Sequence, residues 1–219
     1  PAFAIPPIEP ASVIDFIAVI PLGAAAAGLA IAFILSASIA PRLAAERVKA
    51  LNWPLWALPP FGGLAVGLIA LAAPEVLGVG YEATATALAG GYAIATLAGL
   101  IALKLIATVI TLAARFGGGV FSPSLYLGAM LGALFGAVAT QLFGEATAGA
   151  AFFAVVGMGA VSGAVLGAPL STTLIVFELT ASYEASIALL VAVSLATVIT
   201  QSVTKGSFFH KQVERHGYD

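Results

Sequence analysis

From residue 13 to about residue 44 the chain is one long apolar run, with no charged side chain between Phe16 and Pro41. A hydrocarbon core of about 30 Å is crossed by about 20 mostly apolar residues, so this run can span a bilayer as a tilted helix. Further runs follow at about 61–73, 92–115, 121–143 and 186–203, with shorter pieces at 149–163 and 169–183. Composition closes off the soluble alternative: 61% of the 219 residues are hydrophobic and 8% are charged, against roughly 25% charged in an average soluble domain. So few charges cannot clothe a water-facing surface of this size. The chain is therefore expected to be all-α and polytopic, an integral multi-pass membrane protein whose solvent is the lipid bilayer.

The same composition excludes several functions. A net charge of −2 with no long charge run gives nucleic-acid binding no electrostatic support. Without cysteine there is neither a disulfide framework nor a thiol metal site. No His falls within the apolar runs, so no metal and no cofactor is expected. The chain opens Pro1-Ala2-Phe3 without Met, as an excised segment would, and Glu9 and Asp15 stand where a signal peptide would be basic. Residues 1–10 hold four prolines and read as an extended lead-in.

Charge placement suggests a topology. Arg42, Arg47 and Lys49 flank one loop, followed by Trp53 and Trp56, and Lys205, Lys211 and Arg215 lie in the tail. Basic residues mark the cytoplasmic side, and tryptophans favour the interface. Glu75, Glu82, Glu145 and Glu184 mark the opposite loops. Six crossings between the two basic regions return the chain to one side. The membrane helices then occupy 11–205, and 206–219 is a cytoplasmic terminal helix. A short helix at 82–89, closed by Gly90-Gly91, follows a loop at 74–81.

The stretch Phe116-Gly117-Gly118-Gly119-Val120-Phe121-Ser122-Pro123 carries the most chemistry. Three glycines stop a helix, and Pro123 suits the first turn of a new one. The new helix exposes about four unpaired N–H groups and roughly half a positive charge; surrounded by protein at membrane depth, that is a site for an anion. A lone triple glycine is more often a flexible turn. Here a second break accompanies it, where Gly157-Met158-Gly159-Ala160-Val161-Ser162-Gly163 leads into Gly167-Ala168-Pro169. Paired interruptions of apolar segments point to a transport site between broken helices.

These residues also carry a resemblance. GGGVFSPSLYLGAMLGALFG (117–136) resembles the CLC chloride channel and chloride–proton antiporter pattern, in which a glycine-rich turn and a Val-Phe-x-Pro sequence open a half-helix. GMGAVSGAVLGAPLSTTLIVFELTASYE (157–184), PEVLGVGYE (74–82) and the tail SFFHKQVERHG resemble further segments of that family, in the same order. The resemblance implies that 1–219 is one half of a CLC-type inverted-repeat fold: the second repeat plus the final cytoplasmic helix. It implies an anion site formed by the amides of Val120 and Phe121 beside Gly119, with chloride or a similar anion as cargo. It also implies a missing first-half repeat as partner, a homodimer in the intact protein, and a bacterial or other plasma membrane as location. Where the family has a tyrosine that contacts the anion, the tail has Phe209, or Phe208 if the register slips by one; phenylalanine cannot donate a hydrogen bond. The first-half motifs, including the loop with the gating glutamate, do not occur in this sequence, so channel and exchanger are not separable.

Other polar residues have plainer readings. Glu178 is costly against lipid and is expected to face protein or an interface. Lys104 snorkels or pairs, Arg115 marks the cytoplasmic end of its span, and His210 and His216 are solvated. No base is evident near Ser122 or Ser162, and enzymatic activity is not expected. Two alternatives stand beside anion transport: a solute transporter of another fold, which should show intramembrane carboxylates where only Glu178 qualifies, and a membrane fragment that transports nothing without its other half.

Overall fold

The computed structural model describes residues 12–144, 147–180 and 182–215. The proline-rich lead-in, Glu145 and His216 lie outside them. The described residues form helices without strands: α1 (Val13–Ala50), α2 (Leu58–Ala72), α3 (Tyr81–Leu88), α4 (Ile94–Ala113), α5 (Phe121–Phe143), α6 (Gly149–Leu166), α7 (Pro169–Thr180), α8 (Tyr183–Thr204) and α9 (Phe208–Arg215), with single 3-10 turns at Leu55–Ala57 and Pro74–Val76.

α1 begins with a capping box. The Ser12 hydroxyl accepts from the Asp15 N–H, and the Asp15 carboxylate accepts from the Ser12 N–H at 2.7 Å. Such caps satisfy N–H groups that have no partner inside the helix. The helix continues past the expected end at 44, through Pro41 and the basic stretch, to Ala50. At 38 residues it is about 57 Å long, nearly twice what a membrane core requires. α2 starts at Leu58, three residues before the expected 61, because Pro59 and Pro60 sit in its first turn, where the missing proline N–H has no carbonyl to lose. α6 runs to Leu166 rather than stopping at 163, so Gly157, Gly159 and Gly163 lie inside it. α8 starts at Tyr183 rather than 186, where the Ser182 hydroxyl accepts from the Ala185 N–H at 3.3 Å.

Among the described residues, six helical segments are long and apolar enough to cross a membrane, including α1, α4, α5, α6 and the segment containing α8. They are not the six counted from the sequence. α7 has 12 residues and rises about 18 Å, so it is a half-helix. Among the described residues, five of the long apolar segments lie between the two basic regions, and the sixth segment counted there from the sequence is the half-helix α7.

α6 sits at the centre. It is apolar on every side, and each residue from Phe152 to Val165 is buried, as expected of a helix surrounded by others. It packs on α5, α8, α1 and α7. The α5 face is a stripe of Gly128, Gly132 and Gly136, four residues apart. A Cβ on Gly128 would fall on the Gly157 carbonyl, one on Gly132 on the Phe153 carbonyl, and one on Gly136 would lie 2.9 Å from the Ala150 Cα. Helices associate this closely in lipid only where small residues permit it. The outer surface is apolar: Leu64, Leu68 and Leu71 of α2 and Leu170 and Leu174 of α7 are all exposed.

Asp15 does more than cap its own helix. Its carboxylate is fully buried and accepts from the N–H of Ala148, the residue capping α6, at 3.1 and 3.2 Å. One charge thus joins the N-termini of α1 and α6, where the helix dipoles favour an anion. Asp15→Asn should lower stability by about 1.5 kcal/mol, the lower range for hydrogen bonds to a charged group. Thermal unfolding in detergent checks this, and an unchanged midpoint would contradict the coupling.

Candidate functional site

The break between α4 and α5 starts before the glycines. α4 ends at Ala113, and Arg115 takes a left-handed conformation at φ 61°. The Arg115 N–H donates to Leu112 O at 3.2 Å and the Phe116 N–H to Thr111 O at 3.1 Å. This is the paired closure of a Schellman motif, which glycine usually occupies. Arg115 is exposed there, at the end of its helix.

Gly117, Gly118 and Gly119 follow with no positive φ, and a Cβ on any of them would meet no atom within 4 Å. Nothing within this chain demands glycine at these three positions. What they provide is bare, exposed backbone leading into Val120, which is 3% exposed and precedes α5 with no side-chain cap. From Gly117 to Ser122, no N–H donates to a backbone or side-chain acceptor among the described residues. The Ser124 hydroxyl turns the other way and donates to Phe121 O at 2.7 Å. Pro123 sits in the first turn, as its ring requires. The result is a row of free N–H groups at the positive end of a 23-residue helix, the arrangement that binds anions.

The second break is narrower than the sequence suggested. Gly167 closes α6 in the left-handed conformation, φ 72°, with its N–H on Gly163 O at 2.9 Å, and Pro169 opens α7. A Cβ on Gly167 would lie 2.7 Å from the Ser207 Cβ, so this turn abuts the start of α9. Phe208 packs on Phe33 of α1 at a ring distance of 6.4 Å, whereas Phe209 is 49% exposed. α9 rests on α1 and α6. No hydrogen bond or ring contact joins Phe209 to Val120 or Phe121 among the described residues. Glu178 is exposed on α7 and His210 on α9.

Lys104 departs from its expected role. It neither snorkels outward nor pairs with a carboxylate among the described residues. It is 4% exposed, and its Nζ donates to Val76 O at 2.7 Å and Gly78 O at 2.8 Å, 4.8 Å above the Tyr126 ring. It also borders a cavity of about 240 Å³ whose wall includes Thr108, Thr111, Gly118, Gly119 and Pro123. A lysine inside an apolar run is the sequence signal that could have drawn attention to it.

Comparison with known proteins gives this geometry a family. The family profile described as voltage gated chloride channel matches residues 1–201. The voltage-gated ClC-type chloride channel ClcB of Escherichia coli (strain SMS-3-5 / SECEC) is 29% identical over 163 residues, which make up 74% of this chain and 39% of that protein. The chain thus spans about two fifths of the length of the curated relatives it matches. Among solved structures, a slow cyanobacterial Cl⁻/H⁺ antiporter superposes with a TM-score of 0.84 at 20% identity, over 98% of this chain and 50% of that one. A eukaryotic CLC transporter superposes with a TM-score of 0.71 at 26% identity, over 93% and 36%.

Proposed function

We propose, from the premise that this chain belongs to the voltage-gated chloride channel family, that it forms one wall of a membrane pathway for chloride or a similar small anion. The observation that carries the reading is the row of unpartnered N–H groups from Gly119 to Ser122, at a helix start without a side-chain cap, where Val120, the residue preceding α5, is buried.

In this reading the amides of Val120 and Phe121, reached past Gly119, replace part of the anion's water. Amide dipoles hold a monovalent anion without a contacting full charge, so binding is favourable enough for entry and weak enough for exit. Bare glycines leave room for the anion and for the opposite wall to approach. That wall is the first repeat, in keeping with a chain that spans two fifths of its curated relatives. The assembled protein is a homodimer in a bacterial or other plasma membrane, with α9 on the cytoplasmic side. Phe209 stands where the family's tyrosine would be; without a hydroxyl it leaves the amides as the principal ligands from this chain.

Chloride efflux from liposomes tests the reading. The chain by itself should release no chloride, and the chain co-expressed with a first-repeat segment should release it. Absence of flux from the assembled pair would refute the anion-pathway assignment.

A further inference from the structure

Lys104 is the one buried cation among the described residues, and the amide site makes no direct use of it. An ammonium has three N–H donors. Two are committed to Val76 O and Gly78 O, and the Tyr126 ring lies beneath the group. Carbonyls and a ring face stabilise a cation by dipole and quadrupole but do not cancel its charge. The net charge therefore persists at the edge of the cavity that also reaches Gly118, Gly119 and Pro123. The side-chain hydroxyls of that wall are spent as donors: Thr108 and Thr111 donate back to Lys104 O and Ala107 O at 2.8 and 2.7 Å.

We infer that this cavity is an antechamber for a monovalent inorganic anion, in which Lys104 draws the anion toward the Val120 and Phe121 amides without clasping it. The inference rests on the amide-site reading above. At about 240 Å³ the cavity has room for an anion with several waters, each occupying roughly 30 Å³. Low-dielectric walls concentrate the field of a fixed charge and raise the local concentration of the opposite ion. The two carbonyl bonds also hold Nζ in place. A lysine free to follow the anion would form a contact pair and retain it; one anchored by its own loop attracts and then releases.

The test uses the chain assembled with its first repeat in liposomes, with initial chloride efflux measured over a range of chloride concentrations and ionic strengths. Lys104→Gln retains hydrogen-bond donors for the carbonyls but removes the charge, and Lys104→Arg retains the charge. Lys104→Gln should raise the half-saturating chloride concentration about tenfold and flatten its dependence on ionic strength, whereas Lys104→Arg should keep both near wild type. A purely structural clip would lower the amount of active protein and leave both quantities unmoved. Unchanged half-saturation and salt dependence in Lys104→Gln, with wild-type flux intact, would overturn the antechamber alone. A wild-type assembly that carries no anion would instead overturn the amide-site reading on which the antechamber depends.

Discussion

Gly132→Val is expected to prevent the central helix pair from forming. A Cβ at this position would fall on the Phe153 carbonyl oxygen, 2.6 Å from the Phe153 carbonyl carbon and 2.7 Å from the Ala154 Cα. These are backbone atoms of a helix held on several sides, so no side-chain rotation relieves the overlap. The helices would have to separate along the whole stripe, losing the close approach at Gly128 and Gly136 as well. In lipid no hydrophobic term compensates, because association rests on packing and hydrogen bonds. The loss should exceed about 4 kcal/mol, beyond the range of most single substitutions. Size-exclusion profiles in mild detergent should show aggregated or absent protein. Gly67→Ala, at a helix position where a Cβ meets nothing within 4 Å, should leave the profile intact. A monodisperse Gly132→Val protein with wild-type thermal stability would rule out the glycine stripe as the organising contact.

The second large effect concerns the proposed site. Val120→Pro removes one N–H from the row facing the anion and leaves α5 intact, because Val120 precedes the helix and its φ of −92° is not far from proline's. Losing one hydrogen bond to a charged partner weakens binding by about 2 kcal/mol, roughly thirtyfold. Val120→Ala keeps the N–H and should bind chloride as the wild type does. Calorimetric titration of chloride into the assembled protein distinguishes the two, with a melting curve to show that both are folded. Equal affinities for Val120→Pro and wild type would remove this amide from the site.

The sequence reading succeeded where the physics is local. The break at residues 117–119, the start of α5 at Phe121 and the restart at Pro169 each follow from glycine and proline chemistry within a few residues. It slipped where polarity was mistaken for an ending. α1 runs on through Pro41 and its basic turns to Ala50, and α6 passes through its glycines. A helix tolerates such residues when packing or solvent accommodates them. α7, counted from the sequence with the other spans, is a half-helix of 12 residues.

Membrane residence, the helical class and the two helix breaks were determined by the sequence itself. Hydropathy runs and turn residues act on the chain within one or two turns, so they can be read without knowing what lies across from them. Only the tertiary structure decided what the buried polar groups do. Asp15 meets the Ala148 N–H across 133 positions, and Lys104 meets the Val76 carbonyl across 28. The α5 glycines acquire their purpose from the register of α6. Such pairings leave no periodic trace in the chain, because desolvation and shape act between surfaces that meet only after the helices have packed.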